Sequence, residues 1–423
     1  MEYLVAVEAP AYALSESRFA VESAFAEHLK LLRASIGPQF TRVVILAPQW
    51  SVAAYESMRS SLAIIDSREE GIAYVASHSV AATRWRYWLH EAWPLWRRIR
   101  AAVQSARVVH SGPSIDVWRP TSAMVNLAAW LARRPVIFVV DIDFRQESWR
   151  FYRSGIWSAR AYYTSRLIYD PIKWIQVWLA VRVFDLVLLK SARLVADFGK
   201  GRANVKDFYD TVHAAHDIKS ASEAKRRGDW IRDASQPLQL VYFGRLVRYK
   251  GVDRAIEAVR LARLAGEDVR LSIIGDGDCL LALRMQVARD GLDSVVSFRP
   301  PVAYGQGLFD ELEGAHASIS TPLSEDTPRS AFDAFARGLP VIAFDMGYFV
   351  DLAQKSGAVA LATWPEPAAM AARVVELSRD RERLAGMAER ALAFARANTQ
   401  AQWLERRKQW LDEMLVASGP HGP

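Results

Sequence analysis

Residues 238–275 read LQLVYFGRLVRYKGVDRAIEAVRLARLAGEDVRLSIIG, and the fold is decided here. An apolar run at 238–246 carries a turn rich in glycine and cations at its end, helical spacing follows at 252–265, and a second apolar run fills 269–275. Runs this apolar belong to parallel strands covered by helices on both faces. The alternation continues outward, with helices predicted at 280–289, 329–337 and 348–354, strands at 295–298, 317–322, 340–344 and 358–363, and helices at the C-terminus. The carboxyl-terminal half therefore reads as a Rossmann-like domain.

Toward the amino terminus the pattern is less regular. EYLVAVEAP from Glu2, TRVVILAP from Thr41, ARVVHSGP from Ala106, RPVIFVVDID from Arg134 and FDLVLLKSA from Phe184 are apolar runs that each end in small or polar residues. They predict parallel strands that feed loops at their carboxyl ends. The polar stretch ASEAKRRGDWIRDASQ at 221–236 has no strand alternation and predicts the interdomain linker, giving domains at 1–220 and 237–423. The expected fold class is α/β, with two Rossmann-like domains facing across a cleft. Such domains place ligands at the carboxyl ends of their strands.

Composition agrees. A chain of 423 residues exceeds one ordinary domain, and 51% hydrophobic with 24% charged residues excludes a disordered or collagen-like chain. The single cysteine, Cys279, excludes a disulfide framework or thiolate-rich metal centre and predicts a reducing, cytoplasmic setting. The opening MEYLVAVEAPAY lacks the basic and long apolar regions of a signal peptide. WIQVWLAVRVFDLVLL from Trp174 is shorter than the ~20 apolar residues of a spanning helix and contains Arg182 and Asp185, so none is expected. Residues 1–235 hold 32 Lys and Arg against 23 Asp and Glu, the remainder 22 against 24, so the basic excess is N-terminal.

Three segments carry side chains suited to a phosphorylated, polyhydroxylated ligand. In Gly244-Arg245-Leu246-Val247-Arg248-Tyr249-Lys250-Gly251, cations sit between a strand end and a helix start, which suits an anion or, alternatively, a basic surface loop. Gly275-Asp276-Gly277 permits close approach of a ligand or simply a tight turn. In the segment from Ser324 to Ala343, Phe332, Phe335 and Ala336 mark a buried helix face that leaves Asp333 for the cleft, with Glu325 in the loop before it. These carboxylates can bind hydroxyls of one ligand or complement the helix dipole.

In order and spacing these segments resemble the retaining nucleotide-sugar glycosyltransferases of family 4, which have the GT-B fold. The resemblance implies that Arg245 and Lys250 bind the donor diphosphate, that Glu325 holds donor-sugar hydroxyls and that Asp333 holds the ribose, ahead of Ala334-Phe335-Ala336-Arg337-Gly338-Leu339-Pro340. Gly275 and the helix start at Arg329 and Ser330 are expected beside the donor. The second carboxylate of the family pattern is Glu, so Asp333 reaches about 1.5 Å less. No glycine precedes Gly37, where the family often has a glycine-rich first loop. The strand that ends in a family His here ends in Asp141 and Asp143. Asp141, in register with that His, is the expected acceptor-side residue, and Asp143 is expected to cap the next helix or pair with Arg145. His110 reads either as a cleft residue or as a bonded structural one.

Aromatic and basic residues interleave from Arg84 to Arg100 and from Trp149 to Trp178. They predict peripheral contact with the inner leaflet of the plasma membrane, or equally a core overlaid by snorkelling arginines. No nucleic-acid module surrounds them. No HExxH or thiolate metal pattern occurs, and neither metal nor cofactor is expected. The resulting expectation is transfer of a sugar from a UDP-, GDP- or ADP-sugar to a glycan or lipid-linked hydroxyl. A sugar-nucleotide epimerase and a non-catalytic subunit of a polysaccharide assembly are the alternatives.

Overall fold

The apolar runs pair as two parallel sheets in the computed structural model, which describes residues 1–59, 62–327 and 329–417. Among these residues the N-terminal sheet has the order Val205–Asp207, Leu186–Leu189, Val136–Val140, Ala106–Ser111, Glu2–Ala6, Arg42–Gln49, Ile72–Ser79. The C-terminal sheet has the order Val296–Arg299, Val269–Ile274, Leu238–Phe243, Ala317–Ser320, Val341–Phe344, Val359–Ala362. Pairing within both is parallel, as the continuous apolar character of the strands requires. In each sheet the order reverses beside its first strand, at Glu2–Ala6 against Ala106–Ser111 and at Leu238–Phe243 against Ala317–Ser320. Connections leave such a point in opposite directions and open a crevice beyond the strand ends. This is the GT-B architecture, two α/β domains with helices on the sheet faces.

Four features depart from the sequence-based expectation. Strands Ile72–Ser79 and Val205–Asp207 extend the N-terminal sheet, and a small antiparallel sheet joins Tyr12–Ala13, Arg18–Glu22 and Leu62–Asp66. The stretch expected as linker forms a helix, Ala221–Arg232, closed by a capping box in which Glu223 Oε2 accepts from the Ser220 amide at 2.8 Å. That helix packs on Arg381–Arg396, and its buried Arg227 donates to the carbonyls of Gly338 and Ala315 at 2.8 and 2.5 Å. Its polar sequence hides the anchoring because burial runs through an arginine. Finally, Gln400–Ala417 returns to pack on helix Ser23–Ser35 and strand Leu186–Leu189 of the N-terminal half.

One hydrophobic core runs from the C-terminal sheet onto one face of the N-terminal sheet, and a second fills the opposite N-terminal face. Among the described residues no helix is long and apolar enough to cross a membrane.

Candidate functional site

The carboxyl ends of the central C-terminal strands bring two loops together. A Cβ on Gly275 would lie 2.0 Å from the Gly244 carbonyl oxygen, and one on Gly251 would lie 2.1 Å from that of Thr321. The freedom at Gly275 thus serves loop-on-loop packing, and Gly251, at φ +62°, turns the chain into helix Val252–Leu264. Arg245 is exposed and its Nη2 donates to the Tyr249 hydroxyl at 2.9 Å. Lys250 is ion-paired with Asp326.

Glu325, next to Asp326, is buried. Its Oε1 is ion-paired with Arg150 and accepts from the Gly347 amide at 3.3 Å. Burial pushes the Glu325 carboxyl above its ordinary pKa, and the Arg150 guanidinium opposes that rise. Arg150 comes from helix Glu147–Arg153 of the N-terminal half, so this buried pair spans the two domains. Its Nη2 donates to Gln146 at 2.8 Å, and its guanidinium lies 5.7 Å from the centre of the Trp364 ring. Sequence reasoning missed Arg150, one of many arginines in an aromatic-basic stretch with no local motif.

Asp333 lies inside helix Ser330–Ala336 and is buried, with Oδ1 lacking a hydrogen-bond partner. Burial, reinforced by Asp217, pushes its pKa up to about 7 against the opposing effects of Arg329 and a hydrogen bond from Tyr304. Ser330 opens the helix and is half-buried. Arg329 reaches Asp210 at 2.8 Å, while Pro328 lies outside the described residues. Burial raises the Asp210 carboxyl, but Lys190, Arg329 and Arg407 outweigh it and bring the pKa down to about 2.

Across the cleft, Asp141 is exposed at the end of strand Val136–Val140. It lines a cavity of about 740 Å³ together with Glu8, His110, Ser111, Asp210 and Arg329. Arg245, Lys250 and Glu325 stand on the C-terminal loops outside that lining. Asp143 is buried and paired with Arg145, its Oδ1 accepting from Nε at 2.8 Å, one of the two roles expected for it. His110 Nδ1 shares a hydrogen bond with the Tyr3 hydroxyl at 3.1 Å, and burial, with His28 and Arg407, pushes its pKa down to about 3. It is a neutral, bonded residue in the cavity wall. Among the described residues no group of three or more His, Cys, Asp or Glu is placed to hold a metal ion.

Residues 237–380 match the family Glycosyl transferases group 1. That match lies within the carboxyl-terminal half. The amylovoran biosynthesis glycosyltransferase AmsK of Erwinia amylovora is 30% identical over 159 residues, which are 35% of this chain and 38% of that relative's length. The two halves together superpose on Anabaena Alr3699/HepE, solved in complex with UDP, with a TM-score of 0.62 at 17% identity over 99% of this chain and 100% of that one. WaaG, a glycosyltransferase involved in lipopolysaccharide biosynthesis, superposes with a TM-score of 0.58 at 11% identity over 96% and 98%. At these identities the likeness is one of fold.

Proposed function

We propose that the protein moves a sugar from a nucleoside diphosphate sugar to a hydroxyl of a lipid-linked or polysaccharide glycan, with retention at the anomeric carbon. The reading is supported by one observation, the ion pair of Lys250 with Asp326, which joins the loop of Arg245 and Lys250 to the loop of Glu325 at the switch point of the sheet, within the residues that match group 1 glycosyl transferases. AmsK acts in amylovoran biosynthesis by its name, and HepE has been solved with UDP-glucose, which makes UDP-sugars the first donors to test.

On this reading Lys250 exchanges Asp326 for a phosphate oxygen, and Arg245 swings from Tyr249 to the same diphosphate. Two cations at the leaving group stabilise the charge that develops as the bond from the anomeric carbon to the phosphate oxygen breaks. The acceptor oxygen forms its bond on the face the diphosphate leaves, and its proton passes to a leaving phosphate oxygen. Glu325 holds donor-sugar hydroxyls and Asp333, once ionised, the ribose hydroxyls. Asp141 meets the acceptor. Neutralisation by side chains makes a metal ion unnecessary, so turnover persists in EDTA. The acceptor is met at the cytoplasmic face of the plasma membrane.

The test is calorimetric titration with UDP, GDP, ADP and their sugar conjugates, followed by product analysis. Saturable binding of one nucleotide, lost in Arg245→Ala, is expected, with the sugar then found on an acceptor. No binding of any nucleotide removes the reading. A sugar that stays on the nucleotide but changes configuration identifies an epimerase instead, and binding without turnover identifies a non-catalytic subunit.

A further inference from the structure

The aromatic-basic stretches of the N-terminal domain divide, residue by residue, between core and surface. Tyr87, Leu95, Ile99 and Val103 are buried, whereas Trp85, Leu89 and Trp93 on neighbouring turns are 81%, 73% and 69% exposed. In the second stretch Ser165 and Val177 face inward, while Leu167 is 73% exposed and Tyr163, Trp174 and Ile175 are exposed as well. Large apolar side chains gathered on one face are costly in water and mark a surface that another phase or partner covers.

The two stretches meet at a surface depression lined by Arg84, Trp85, Trp118 and Tyr169. The Arg84 guanidinium lies 4.5 Å over the Trp118 ring, and Trp118 Nε1 donates to the Tyr169 hydroxyl at 3.1 Å. Arg86, Arg119 and Lys173 are held by Glu91, Asp116 and Glu147, but other cations of these stretches are free to meet anions. Arg97, Arg100, Arg160 and Arg166 are exposed and make no ion pair among the described residues. Asp170, the acidic residue of helix Asp170–Val183, is turned inward and accepts from Ser148 and Ser165 at 2.6 and 3.0 Å.

We infer that this face docks peripherally on an anionic lipid bilayer. Rings at the level of the interface with guanidinium groups among acidic headgroups satisfy both halves of the pattern. A protein partner would have to bury the unpaired arginines as well as the rings. The loop after strand Ala106–Ser111 ties this face to the cleft. Ser111 and Ser114 line the cleft cavity, Trp118 and Arg119 line a surface depression shared with Arg84 and Tyr169, and Ile115 borders both. The Ser114 amide donates to Gln176 Oε1 at 2.8 Å, which fixes the loop to helix Asp170–Val183. Docking therefore sets the loop as the threshold between the bilayer and the cleft. This last step rests on the glycosyl-transfer reading, but the docking does not.

The test uses the full chain and vesicle flotation, with phosphatidylcholine vesicles with and without phosphatidylglycerol. The protein should float with the anionic vesicles, less so as salt screens the arginines. Affinity should fall about tenfold or more in Trp85→Ser/Trp93→Ser/Leu167→Ser and in Arg97→Ser/Arg100→Ser/Arg166→Ser, each removing several interfacial contacts. Nucleotide titration and circular dichroism of the same variants show that they are folded. Hydrogen exchange should slow on vesicle binding at 84–93 and 111–119 and stay unchanged at 280–289. A wild-type chain that ignores anionic vesicles, or an apolar triple variant that floats as wild type does, overturns the docking. A wild-type dimer that this variant converts to monomer, without flotation, assigns the face to self-association and overturns it too. Unchanged exchange at 111–119 during flotation removes the threshold. Flotation without nucleotide binding leaves the docking in place and removes the donor reading.

Discussion

In the C-terminal sheet the crevice is built from loops that directly follow their strands, with Gly244, Arg245 and Lys250 after Leu238–Phe243 and Glu325 after Ala317–Ser320. The N-terminal crevice draws its wall from separate places: Glu8, the Ser111 loop, Asp141, and helix Gln400–Ala417 from the far end of the chain. The first is a site written in consecutive residues, and the second is an assembly. Both carry charge. Lys250 and Glu325 stand in ion pairs with Asp326 and Arg150, and the N-terminal cavity holds the Asp210–Arg329 pair beside the neutral His110–Tyr3 pair and many apolar side chains. A contiguous site suits a ligand of fixed chemistry, and an assembled one can vary without disturbing the sheet beneath it.

The largest test of this contrast is the pair that bridges it. Arg150→Met leaves Glu325 buried without its cation and should cost about 3–5 kcal/mol in denaturant unfolding. Arg150→Met/Glu325→Gln, with neither charge left, should recover most of that loss. An Arg150→Met chain as stable as wild type would mean that the halves do not rely on this contact. Next come Arg245→Ala and Lys250→Ala, each expected to lower kcat/KM by roughly tenfold to over a hundredfold, about 1.5–3 kcal/mol for a charge-assisted contact. Unchanged turnover in both would break the assignment of the donor site to this loop.

A further effect should appear as pH dependence. An unfolded Asp titrates near ~3.9, and folded Asp333 near about 7. Between those values the folded chain holds the extra proton, so this residue makes stability fall as pH rises from about 4 to about 7, after which its contribution is constant. Asp333→Asn should flatten that slope in unfolding curves taken across the range. Nucleotide affinity should rise as pH passes through about 7 in the wild type, where the ionised carboxylate can accept two ribose hydroxyls, and should stay level in Asp333→Asn. The smallest effect concerns the helix read as a linker. Ser220→Ala removes a cap and should cost about 1 kcal/mol, and unaltered stability would show that Arg227, not the cap, secures the helix.

Much of the C-terminal half was legible in the sequence. The strand and helix positions from Leu238 to Ala362 follow the apolar runs, since a parallel strand buried on both faces admits few polar residues. The pairing of Asp143 with Arg145 followed from their closeness in sequence, as one of two roles open to Asp143. The partners of Glu325 and Asp333 did not, because Arg150 is 175 positions from Glu325 and Tyr304 belongs to another loop. The edge strand Ile72–Ser79 escaped notice because its polar and small residues dilute the apolar run.

What the sequence alone determined is the architecture and the chemistry type: two parallel α/β sheets, and a strand-end loop with cations and carboxylates at set spacings. Both are consequences of local order, since periodicity fixes which faces are buried and strand-to-loop adjacency fixes where the ends point. The tertiary structure alone decided the Arg150–Glu325 bridge, the return of the last helix to the first domain, and which tryptophans lie in the core and which outside. Those depend on contacts between residues far apart in the chain, and burial, not sequence separation, sets their energy.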